Sequence, residues 1–243
     1  MKTLPWKKIA IGVVGIVVLV AGVFYINTTI GSKVAPGYVN PAFGEYISSY
    51  TAGVISSGST IRVMLAKDAV DSAALGQETS VKLFSFSPAV KGKTVWLDKR
   101  TVEFTPEKRM VSGQIYEVDF ELSRLATVPK ELAVFEYTFQ VMPQNFEFTV
   151  DNVKPYIKTE LKRQKIEGTL FTADFAENEV VEKMLTATQE SKKLAVSWTH
   201  AAEGKQHLFL VEDVSRKEEA SNVKLSVSGE ALGISSVDEK EVE

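Results

Sequence analysis

The residues most suggestive of chemistry lie in "SPAVKGKTVWLDKRTVEFTP", Ser87 to Pro106, where Gly92-Lys93-Thr94 resembles the end of a phosphate-binding loop. Such a loop cradles phosphate in backbone N–H groups, adds a lysine as counter-charge and places the hydroxyl on magnesium. It also needs a glycine five positions before Gly92, and a junction between a buried strand and a helix. Ser87 occupies that position, and "TVWLDKRTVEF" follows as two short alternating runs around Asp98-Lys99-Arg100. The stretch reads as a β-hairpin with Gly92 as a turn glycine.

The only histidines are His200 and His207. Each sits at one end of a strand pattern, so they read as the two ends of a hairpin. Two imidazoles can share a metal or pass a proton, but no carboxylate stands beside them at a ligand-like spacing, and the pair reads as satisfied or solvent-facing. A hydrolase built on this chain would have to use His200, His207 and nearby acids. No Gly-x-Ser-x-Gly elbow, His-Glu-x-x-His helix or repeated-aspartate calcium loop occurs. The absence of cysteine excludes disulfides, a thiol nucleophile and cysteine-type zinc sites. Aspartate and glutamate fall mainly on the outward phase of strand patterns. No catalytic, cofactor-binding or metal residue is therefore assigned, no cofactor is called for, and the binding residues stay open.

The elements around these residues have a period of two. Ile61, Val63 and Leu65 alternate with Arg62 and Met64. Tyr116, Val118, Phe120 and Leu122 likewise occupy every second position, as do Phe135, Tyr137, Phe139 and Val141. Alternation of this kind marks strands with one buried face, and Pro88, Pro106, Gly113 and Pro129 punctuate them at sandwich-like spacing. Residues 40–143 are expected to form one antiparallel β-sandwich. A second β domain is expected over 144–235, opening with "FEFTV" after Pro143. Its later strands should fall at Gly168 to Thr172, Leu194 to Trp198, His207 to Val211 and Val223 to Val227. In "ENEVVEKMLTAT" the stripe Val180, Val181, Met184, Leu185 predicts one short helix. Residues 236–243 read as a charged tail.

The amino terminus carries Lys2, Lys7 and Lys8, then "IAIGVVGIVVLVAGVFYI", 18 residues (9–26) without a charge. At about 1.5 Å per residue this run nearly matches roughly 30 Å of hydrocarbon. It predicts a transmembrane helix. The basic flank stays cytoplasmic and the bulk of the chain is exported. No good small-x-small cleavage site follows, so residues 1–27 read as a retained signal anchor and 28–39 as a linker. The membrane is thus one expected partner. A net charge of −3 with scattered lysine and arginine gives no footprint for nucleic acid, and an oligomeric state cannot be read.

"NPAFGEYISSYTAGVISSGSTIRVMLA" (40–66) and "LFSFSPAVKGKTVWLDKRTVEFTPEKRMVSGQIYEVDFEL" (83–122) together resemble the amino-terminal part of bacterial alpha-2-macroglobulin-like proteins. The second segment also looks like a bacterial Ig-like domain, and the similarity continues through "VPKELAVFEYTFQV" into "GTLFTADFAENEVVEKML". This resemblance implies macroglobulin-type or Ig-like β modules in a periplasmic, membrane-anchored protein of the bacterial envelope. It also implies a whole protein that traps proteases as an endopeptidase inhibitor. Without cysteine the thioester of many members cannot form, and bait and trapping domains do not fit in 243 residues. The expectation is a non-enzymatic strut between membrane and trap, with proteases as partners through the remainder of the protein. The alternative is a self-contained Ig-like envelope scaffold or adhesion protein that binds a protein or glycan.

Overall fold

The computed structural model describes residues 39–243. The anchor, with its span at 9–26, and nearly all of the linker lie outside the described residues. Among the described residues no helix is long and apolar enough to cross a membrane.

The architecture is mainly β, with 16 strands in four sheets. β1 (Ile47–Tyr50), β3 (Ile61–Leu65), β5 (Gly92–Trp96) and β6 (Thr101–Pro106) form one sheet in the order β1-β3-β6-β5. β2 (Gly53–Ile55), β4 (Phe84–Ser87), β7 (Ile115–Phe120) and β8 (Phe135–Val141) form its partner, ordered β2-β8-β7-β4. Aromatic rings pack across the gap. Phe104 of the first sheet lies 4.6 Å from Phe86 of the second, and Tyr50 lies 4.9 Å from both Phe135 and Tyr137. The alternating residues named above are the ones that point inward: Ile61, Val63, Val118, Phe120 and Phe135 are fully buried.

One core residue carries a polar cost. Tyr137 is buried and its hydroxyl has no hydrogen-bond partner. Burial, and then the neighbouring Tyr50, push its pKa above the ordinary phenol range. Tyr137→Phe removes an unsatisfied group without opening a cavity, so it should stabilise the protein by about 1 kcal/mol. A urea midpoint that falls in this variant would show that the hydroxyl is satisfied.

The Ser87–Pro106 stretch forms the hairpin β5–β6, turned by Asp98, whose carboxylate accepts the Arg100 and Thr101 amides at 2.7 and 2.8 Å. Gly92 is not in the turn. It opens strand β5, where a Cβ would run into the Phe104 ring and the Thr105 carbonyl. The position demands glycine because the facing chain approaches closely.

Beyond Met142, β9 (Phe146–Ile157), β10 (Glu160–Thr172), β13 (Val196–His200) and β14 (Gln206–Ser215) form a sheet ordered β13-β14-β10-β9. It faces β11 (Leu185–Gln189), β12 (Lys192–Lys193), β15 (Val223–Ser228) and β16 (Val237–Val242), ordered β12-β11-β15-β16. Phe148, Ile166, Leu170 and Phe209 meet Ala187, Leu225 and Val227 in one core. Residues 40–243 form a single compact unit, and both cores lie within it.

Two local expectations are corrected. The helical stripe yields only α1 (Asn178–Val181), a single turn. Leu185 already belongs to β11, where Leu185, Ala187 and Gln189 point inward and two β-branched threonines point out. A period of two competes there with a period of 3.6, and the neighbouring strand β15 decides. The charged tail is likewise a strand: β16 pairs with β15 along its whole length. Its outward Glu239 meets Lys224 at 2.8 Å, while the ammonium of Lys240 donates to the Phe148 carbonyl of β9 at 2.6 Å. Lys240 thus bridges the edges of the two facing sheets.

Candidate functional site

His200 and His207 face each other across the hairpin β13–β14, as the sequence spacing requires. Their Nδ1 atoms are 2.8 Å apart, and His200 Nε2 lies 3.3 Å from Glu182 Oε1. His207 is completely buried and its Nε2 has no partner, so it is neither solvent-facing nor fully satisfied. Leaving a lone pair unmet in the core costs less than leaving an N–H unmet. That assigns the proton of His207 to Nδ1, donating to His200 Nδ1, while His200 Nε2–H donates to Glu182. Both Nδ1 atoms are committed to one another, and among the described residues no hydroxyl hydrogen-bonds to either ring. No group of three or more metal-ligating side chains is assembled among the described residues.

The buried member of the pair, His207, is the one whose surroundings disfavour a proton. Burial, then the adjacent His200, lower the pKa of His207, and the Gly204 carbonyl and Glu203 pull weakly the other way. A histidine whose folded pKa is depressed takes up its proton more readily when unfolded. Its stabilising contribution is present above the ordinary histidine pKa of about 6.5 and declines as pH falls through that value. The melting temperature should therefore drop between pH 7.5 and 5.5, and the drop should shrink in His207→Leu. An equal drop in that variant would place the acid sensitivity elsewhere.

The most constrained polar group lies where the two sandwiches meet. Asp174 follows β10 and is buried, 2% exposed. The Ser56 hydroxyl donates to its Oδ1 at 2.6 Å, and the Ser57 amide donates to its Oδ2 at 2.6 Å. Lys205 approaches the same carboxylate at 3.7 Å. Burial alone would raise this pKa, but the bonds from Ser56, Ser57 and the Phe175 amide outweigh it and hold the group at about 2. A carboxylate that accepts several such donors stays ionised even when dry.

The short connection between β8 and β9 is bound into the same node. The Gln144 side chain donates to the Asp174 and Phe175 carbonyls at 3.0 and 2.9 Å and accepts from the Asp174 amide at 3.1 Å. Ser112 accepts the Gln144 amide at 2.7 Å. The Arg109 guanidinium stacks 3.6 Å above the Phe175 ring, and a Cβ at Gly204, at φ 63°, would run into that ring. An open cleft of about 270 Å³ beside the node is lined by Arg109, Met110, Phe175, Val180 and Leu232, among others.

Sequence patterning missed this site. Asp174 stands in "TADFAEN" without any periodic signal, and its partners lie 117 and 118 positions away. The one local feature that could have pointed to it is the donor-rich stretch Ser56-Ser57-Gly58-Ser59.

No family model and no curated protein matches this chain. Among solved structures, bovine butyrophilin matches with 11% identity over 84% of this chain and 96% of that one, at a TM-score of 0.32. L,D-transpeptidase 3 from Mycobacterium tuberculosis, in complex with a faropenem-derived adduct, matches with 9% identity over 76% and 77%, at 0.31. A further L,D-transpeptidase from Mycobacterium tuberculosis matches with 14% identity over 72% and 78%, at 0.30. Likenesses this faint carry no argument about activity.

Proposed function

We propose that this chain is a non-catalytic, membrane-anchored strut of the bacterial cell envelope, with residues 9–26 as the retained anchor and the sandwiches as a stiff spacer in the periplasm. The observation that carries this reading is the joint. A hinge between two domains would leave its connection in water, whereas here the Asp174 carboxylate takes charge-assisted hydrogen bonds from Ser56 and Ser57, and Gln144 ties the connection to the backbone of Asp174. The stacked Arg109–Phe175 pair supports the same rigidity.

The resemblance to the amino-terminal modules of alpha-2-macroglobulin-like proteins extends the proposal to a spacer between membrane and protease trap. Purified residues 40–243, mixed with several proteases, should form no covalent adduct and give no stoichiometric inhibition. Inhibition by these residues alone would overturn the strut reading. The absence of cysteine, and hence of any thioester, equally suits a self-contained scaffold. The reading frame past Glu243 separates the two: a long continuation with a bait segment favours the trap, and a stop codon favours the scaffold. A periplasm-only reporter fused after Glu243, together with carbonate extraction, tests the orientation and the anchoring.

A further inference from the structure

β9 and β10 are 12 and 13 residues long and pair with each other to their ends, from Thr172–Phe146 beside the joint to Glu160–Ile157. At about 3.3 Å per residue the ribbon reaches roughly 35 Å from the joint. Its end exposes several apolar side chains close together. Ile157 is 58% exposed and Leu161 48%, and Val153 and Tyr156 are exposed as well.

Five cations lie between Lys154 and Lys165, and three of them are already engaged. Lys154 and Lys165 share Glu167 at 2.6 and 3.0 Å, and Arg163 pairs with Asp213. Tyr156 is held beneath Arg163 and Lys165, and its hydroxyl accepts the Asp213 amide at 3.1 Å. The outward groups are therefore Ile157 and Leu161, with Lys158 and Lys162 directly following them. Neither lysine has an acidic partner within ion-pair distance among the described residues, and Glu160 is the one acid in the turn.

We propose that this ribbon end is a docking tip for an anionic lipid surface, with Ile157 and Leu161 entering the headgroup–acyl boundary and Lys158 and Lys162 on lipid phosphates. The chemistry favours a bilayer over an acidic protein. The two lysines carry long stems that let the ammonium groups stay in the phosphate layer while the adjacent apolar side chains sink below it. The chain also carries an uncharged run of 18 residues suited to a bilayer, so the tip works near one. From the strut reading the inference takes only this setting.

The test is co-sedimentation of residues 40–243 with vesicles, because that unit contains both its cores and lacks the apolar run. It is expected to bind mixed phosphatidylglycerol–phosphatidylcholine vesicles at low salt and to leave pure phosphatidylcholine vesicles unbound. Each lysine near an anionic surface contributes about fivefold to partitioning, so K158E/K162E should weaken binding by about thirtyfold or more. I157S/L161S should weaken it by about tenfold or more. All four positions are exposed, and circular dichroism checks that the variants keep their fold. No binding by the native sequence, or undiminished binding by either double variant, overturns the proposal. Because the anchor is absent from the fragment, such a failure leaves the strut reading untouched.

Discussion

Replacing Asp174 by alanine is expected to destabilise residues 40–243 by about 3 kcal/mol and to loosen one sandwich from the other. The estimate combines two lost bonds to a charged acceptor with the stranding of the buried Ser57 amide, each worth roughly 1–3 kcal/mol. Lys205 loses its carboxylate partner at the same time, whereas the bonds of Gln144 run to the backbone of residues 174 and 175 and are kept. Limited proteolysis supplies the readout. In the native protein the connection at Met142 to Phe146 should resist cutting, because Ser112 and Gln144 hold it. In the variant it should be cleaved early. Acid should mimic the mutation. The carboxyl pKa is depressed from 3.8 to about 2, so the stability it confers is complete above the unfolded value and is lost as pH falls from about 4 to about 2. At about 1.4 kcal/mol per unit this loss is roughly 2 kcal/mol. Asp174→Asn keeps the shape and should abolish that acid step. An Asp174→Ala protein as stable and protease-resistant as the native one would refute the role given to the node.

The other large effect is expected at Phe135. Its ring is fully buried on β8 and lies 4.9 Å from Phe43, 4.9 Å from Tyr50 and 5.2 Å from Tyr137. It therefore ties the segment before β1, β1 itself and the opposite sheet into one cluster. Phe135→Ala leaves a cavity among rings that cannot close around it, at a cost of about 3–5 kcal/mol. Guanidinium unfolding followed by Trp96, which is buried in the same sandwich, should shift to a lower midpoint. The signal from Trp198 in the other sandwich should shift less. A loss below about 1 kcal/mol would mean that the cluster repacks.

The strands were legible in the sequence where one face is buried and no helical period competes. Ile61 to Leu65, Tyr116 to Phe120 and Phe135 to Val141 alternate strictly and are buried in that same alternation. The His200–His207 hairpin was legible for the same reason. The failures have different causes. At Leu185 two periodicities coexist over five residues, and only pairing with β15 chooses between them. At Val237 to Val242 an acid-rich strand is stabilised by partners on β15 and β9, and nothing local reveals them. The outer half of the β9–β10 ribbon, with both faces partly in water, lacks the alternation that a core imposes. The joint was illegible because it depends on a single aspartate meeting serines more than a hundred positions away. Outward phase is a sound default for acids in strands, and Asp174 falls in a connection where that default says nothing.

If the two sandwiches form one rigid spacer, a distance measured across their joint has a single value. Because the chain has no cysteine, Glu117→Cys and Thr186→Cys, both exposed on ordered strands of different sandwiches, accept spin labels at those positions alone. Pulsed dipolar spectroscopy on residues 40–243 should give a single narrow distance distribution, which broadens when Asp174→Ala is added. A broad distribution in the otherwise native protein would contradict the account.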